Sequence, residues 1–87
     1  MKIFEVEDIF GNIIVLTNER WNHTIRHKVP GIESLKRSLR KPYEVRKSRY
    51  DEYVFLYYRR FSGNFLSTVV QSKDGFLMTA YTTDKIK

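Results

Sequence analysis

The last third of the chain does most to limit what it can fold into. Three apolar, aromatic runs, Glu52 to Phe61, Phe65 to Ser72 and Phe76 to Thr83, are separated only by Ser62-Gly63-Asn64 and Lys73-Asp74-Gly75. Connections this short reverse the chain, and Asp74-Gly75 has the composition of a tight hairpin. Glu44 to Ser48 is a further strand candidate just upstream. These runs predict a mainly antiparallel meander of four strands.

The N-terminal half is read the same way. Lys2 to Glu7 alternates apolar and charged residues, Phe10-Gly11-Asn12 is a turn signal, and Ile13-Ile14-Val15-Leu16 is β-branched and apolar, so a hairpin is expected first. Thr17 then suits an N-cap, with Glu19 in the first turn, for a helix from Asn18 to about Lys28 that Pro30-Gly31 stops. A second helix is expected near Ile32 to Arg40, with Ile32, Leu35 and Leu39 on one face and Pro42 beyond its end. The expected fold class is therefore α+β: an N-terminal hairpin, two helices, then the four-stranded meander with the helices packed on one face.

At 87 residues the chain suits a single domain, 1–87, whose small core is made dense by its 15% aromatic content. Without cysteine it has no disulfide, thiolate metal site or thiol nucleophile. The opening MKIFEVEDIF lacks the apolar core of a signal peptide, and no apolar run reaches the roughly 20 residues of a membrane span. A soluble, cytoplasmic protein is the expectation. Sixteen Lys and Arg against ten Asp and Glu leave a net charge of +6, which favours a polyanionic partner: RNA, or an acidic protein chain.

Three segments carry candidate chemistry. In Arg20-Trp21-Asn22-His23-Thr24-Ile25-Arg26-His27-Lys28, helical spacing puts Trp21 and Ile25 on an anchoring side. His23, His27 and Arg20 fall on the other side, with Arg26 at its edge. Imidazole exchanges protons near neutral pH, and arginine holds phosphate. His-Thr-Ile-Arg-His lacks the interior glutamate of a helical zinc motif, and its arginine repels cations, so no metal and no other cofactor is expected. The bland alternative is a solvated polar helix face. The second segment, Arg46-Lys47-Ser48-Arg49-Tyr50 with Arg59-Arg60, interleaves cations and tyrosines as a single-stranded RNA surface does, though such strands also build ordinary cross-strand ladders. In the third, Thr79, Tyr81 and Thr83 share one face of the last strand. That row of hydroxyls suits a phosphate or ribose, and equally the wet face of an edge strand.

Taken in order, these segments resemble a known set: Leu-Thr-x-x-Arg-Trp-x-His over Leu16 to His23, a second histidine four residues on, Arg46-Lys47-Ser48, Tyr57-Tyr58-Arg59, and Thr79-Ala80-Tyr81. The pattern is similar to small phage- and mobile-element-associated proteins of the barnase–EndoU–colicin–RelE nuclease class. That resemblance implies a metal-independent ribonuclease site on an open sheet face, cleaving RNA by attack of a 2′-OH on the adjacent phosphate. It gives His23 the acid–base role, Arg46 the phosphate clamp, and Thr79 and Tyr81 the hydroxyl contacts. Arg20, Arg26, His27, Arg49 and Arg59 would hold nucleic acid. It implies a toxin-like or phage-related endoribonuclease with an acidic, antitoxin-like partner. The alternatives are a catalytically silent RNA-binding module and a protein-interaction domain.

Overall fold

Residues 1–86 are described by the computed structural model. Strands β1 (Lys2–Glu7) and β2 (Ile13–Thr17) form an antiparallel hairpin. Next come a short helical turn α1 (Asn18–Arg20), a π turn (Trp21–Ile25) and a helix α2 (Ile32–Arg40). Strands β3 (Glu44–Lys47), β4 (Val54–Phe61), β5 (Asn64–Gln71) and β6 (Phe76–Thr83) follow. The Ser62-Gly63 turn between β4 and β5 has positive φ at both residues, 46° and 81°. That is the geometry whose twist matches a two-residue hairpin.

The expected fold class is overturned by one pairing. β2 runs parallel to β6, with Val15 opposite Phe76, so the hairpin is not a separate element preceding a four-stranded sheet. All six strands form one mixed sheet in the order β1-β2-β6-β5-β4-β3, curled into a half-barrel. The joint is backbone to backbone: Val15 N–H donates to the Gly75 carbonyl at 2.9 Å. A pairing between residues so far apart in the chain leaves no trace in local patterning.

The expectation of two regular helices also fails at the first. Thr17 does cap the segment, its hydroxyl accepting from Arg20 N–H at 3.3 Å. The α-helical turn nevertheless lasts only three residues. The Arg26 N–H then reaches back five residues to the Trp21 carbonyl at 3.0 Å, widening the turn, and Lys28 N–H closes on Ile25. This geometry still drives Ile25 fully into the core and packs Trp21 against it.

The sheet curls around α2, which touches β1, β4 and β5. Its inner face supplies Phe4, Val6, Ile14, Leu16, Leu66, Val70, Leu77 and Ala80, which meet Leu35 and Leu39 of the helix and Ile25 of the π turn in one core. A buried polar pair pins helix to sheet: Ser38 Oγ lies 2.6 Å from Thr68 Oγ1 and donates to the Leu35 carbonyl at 2.7 Å. Across the mouth of the half-barrel, Tyr57 of β4 donates its hydroxyl to the buried Asp8 carboxylate in the β1–β2 turn. Asp8 also accepts from Phe10 N–H at 3.0 Å and Asn12 N–H at 2.8 Å. Burial first, then the Asp8 hydrogen bond and charge, push the Tyr57 phenol well above the ordinary tyrosine value.

Candidate nucleic-acid interface

The outer face of the sheet carries the other side-chain set, and the register orders it into rows. One row is Arg46, Leu56, Val69 and Thr79, on β3, β4, β5 and β6 in turn. The next is Glu44, Tyr58, Ser67 and Tyr81. Arg46, Thr79 and Tyr81 thus share one face. Three inter-strand steps nevertheless separate β3 from β6, about 14 Å along the sheet.

Three cavities divide the candidate residues further. The largest, about 690 Å³, opens between β3, the β3–β4 turn and the chain after β6. It is lined by Arg46, Lys47, Arg49 and Lys85, by Tyr50 and Tyr58, and by Ser48, Leu56 and Ile86. Tyr58 is 1% exposed and forms its floor, whereas Tyr50 is 95% exposed at its rim. The Ser48 hydroxyl accepts from Tyr50 N–H at 3.1 Å, which fixes the bend carrying that ring. Arg46 pairs along β3 with Glu44, two residues earlier on the same face, through its Nε.

His23 lies elsewhere. It is exposed and lines a cavity of about 340 Å³ with Thr17, Glu19, Arg20 and Thr24. Arg20 is held there by the sheet. Its Nη1 donates at 3.0 Å to the carbonyl of Met78, the extra residue at a bulge in β6, and its guanidinium sits 4.8 Å from the Phe76 ring centre. That contact supplies a partner for a carbonyl the bulge takes out of the ladder.

The two histidines do not form one constellation. His27 follows the π turn, is exposed, and accepts from Arg26 Nε at 3.3 Å. Arg26 also reaches Asn22 Oδ1 at 3.4 Å. His23 and not His27 lines the cavity with Arg20. Arg59 lines a third cavity, about 300 Å³, with Lys41, Pro42, Tyr43 and Arg60. Thr79 and Tyr81 line none of the three cavities.

Of the expected residues, then, Arg46 and Arg49 come together, His23 and Arg20 come together, and these two pairs stand apart. Lys85 was not legible as a site residue, because only the path of the chain after β6 brings it back to β3. Glu19 is expected only in the first turn of a helix, a position that gives no hint of its place beside His23. Among the described residues, no group of three or more His, Asp or Glu side chains is placed to hold a metal ion. No helix among them is long and apolar enough to cross a membrane. The chain matches no family model, no curated protein and no solved structure in the comparisons made.

Proposed function

We propose that the protein binds single-stranded RNA in the groove between β3, the β3–β4 turn and the chain following β6. One observation supports this reading above the others: the largest of these three cavities is lined by four cations and two tyrosines, with no carboxylate among its lining residues. Lys and Arg take the phosphates, and the protruding Tyr50 ring offers a face for an unstacked base. The net charge of +6 favours the encounter. Binding of a short unstructured oligoribonucleotide should weaken steeply with salt as phosphate contacts are screened. Arg49→Ala with Lys47→Ala should lower affinity by roughly tenfold or more and flatten the salt dependence. Affinity unchanged in that variant, or insensitive to salt, rejects the groove.

The cavity at His23 favours a second reading, metal-independent cleavage of the bound strand. An imidazole, a carboxylate and a guanidinium line one space: His23, Glu19 and Arg20. Attack of a 2′-OH on the adjacent phosphate needs one group to take its proton, one to give a proton to the departing 5′-oxygen, and a cation for the phosphate. The row from Arg46 to Thr79 marks a route over the sheet from groove to cavity, since Arg20 grips the carbonyl next to Thr79. His23→Ala should abolish cleavage in chelator-containing buffer while leaving affinity within about twofold, because general acid–base loss acts on rate. Cleavage persisting in that variant removes the catalytic reading and leaves the binding one intact.

A further inference from the structure

The third cavity, between the residues that follow α2 and the end of β4, is distinct from the groove at β3 and from the cavity at His23. We propose that it captures a terminal phosphomonoester, an inference that rests on the RNA-binding reading where the phosphate belongs to an RNA end. Lys41, Arg59 and Arg60 line it together with Tyr43 and Pro42, and no carboxylate does. The arginines are set in place by the fold. Arg59 Nη1 donates to the Lys41 carbonyl at 2.8 Å. The Arg60 guanidinium lies 4.7 Å from the Tyr43 ring centre and 5.9 Å from that of Phe65, and its Nη2 donates to the Tyr43 hydroxyl at 3.4 Å. Tyr43 is itself tied to β4, its N–H donating to the Tyr58 carbonyl at 2.6 Å. Guanidinium groups positioned before binding lose less freedom when they take an anion.

Charge selects the kind of phosphate. A phosphodiester inside a chain carries one negative charge, whereas a terminal phosphomonoester carries about 1.5 to 2 near neutral pH. Three cations around a space this small favour the more highly charged end group. The cavity also continues the RNA groove. Tyr58 forms the groove floor, and Arg60 is the next residue on the same face of β4, about 7 Å further on. Tyr43 is 55% exposed, which leaves ring surface for the terminal base.

The test compares one oligoribonucleotide sequence with a 5′-phosphate, a 3′-phosphate or neither, alongside a nucleoside monophosphate. One phosphorylated form should bind about tenfold tighter than the plain oligonucleotide, as expected for hydrogen bonds to an added charge. Arg60→Ala and Lys41→Ala should each reduce affinity for the phosphorylated form more than for the plain oligonucleotide, so that the preference falls. Unaltered melting temperatures check that the variants fold. Equal affinity for all three oligonucleotides, or a preference that survives in both variants, overturns the proposal. A nucleoside monophosphate bound as tightly as the phosphorylated oligonucleotide assigns the pocket to free nucleotides. Weaker binding of it assigns the pocket to RNA ends. If the monophosphate binds and no oligonucleotide does, the pocket stands and the RNA reading falls; if neither binds, both fall.

Discussion

Asp8 and Tyr57 show how one contact sets a local geometry. Asp8 is 5% exposed, and its carboxylate collects two turn N–H groups and one phenol. A carboxylate so supplied stays buried without a cationic partner. Tyr57→Phe keeps the ring and the turn contacts but removes the phenol donor. It should cost about 1–2 kcal/mol near neutral pH, read from denaturant unfolding. Because the folded-state phenol value is raised, wild-type stability from this group is complete below the ordinary value near 10. It is lost as pH climbs above that value, where the unfolded phenol ionises and the folded one does not. The gap between wild type and Tyr57→Phe should therefore narrow in the alkaline range, and a gap constant with pH would contradict the assignment. The turn half of this motif could have been read from Asp8 ahead of Phe10-Gly11-Asn12, since aspartate accepts from backbone two residues on. The phenol half could not, because Tyr57 reaches it only through the curl of the sheet.

At the scale of elements, α2 is held to β5 by more than Leu35 and Leu39. Ser38 and Thr68 are both 0% exposed and satisfy each other. Ser38→Ala alone strands the Thr68 hydroxyl in the core and should cost about 1–3 kcal/mol. The double variant Ser38→Ala/Thr68→Val removes both hydroxyls at nearly constant shape. It should cost clearly less than the two single changes added together, measured as a double-mutant cycle. Strict additivity would mean the pair contributes no coupling. Helix α2 was readable because Ile32, Leu35 and Leu39 keep a 3.6-residue period up to Pro42. The segment after Thr17 misled for the same kind of reason. Its cap and its Trp21–Ile25 spacing fit a helix, but they fit a turn widened by one residue as well. Only the anchoring of Arg20 on the β6 bulge and of Ile25 in the core distinguishes the two. With that helix lost, His23 lines a cavity that His27 does not.

At the scale of the whole molecule, a single joint makes one sheet out of two. Gly75 has φ +72°, and a Cβ there would lie 2.7 Å from the Ile13 carbonyl oxygen. Gly75→Ala therefore meets both a left-handed backbone and a backbone wall, next to the Val15–Gly75 hydrogen bond. It should destabilise by about 1–3 kcal/mol and, in hydrogen exchange, expose the Val15 amide before the amides shared by β4 and β5. Uniform loss of protection across the sheet would show that the joint is not the weak seam. The distribution of charge also belongs to this scale. The sequence spreads its cations from Lys2 to Lys87, and curling the sheet gathers Arg46, Lys47, Arg49 and Lys85 around one groove while sending Arg20 to a different cavity.

By itself the sequence determined the strand segments, the helix at Ile32 to Arg40, the cap at Thr17 and the excess of positive charge. Each is written in residues close together in the chain, where period, turn chemistry and composition act directly. The parallel pairing of β2 with β6, the π turn, and the separation of His23 from Arg46 were decided by the tertiary structure. Those features depend on burying one apolar face around α2, and contacts between distant segments set where that face closes.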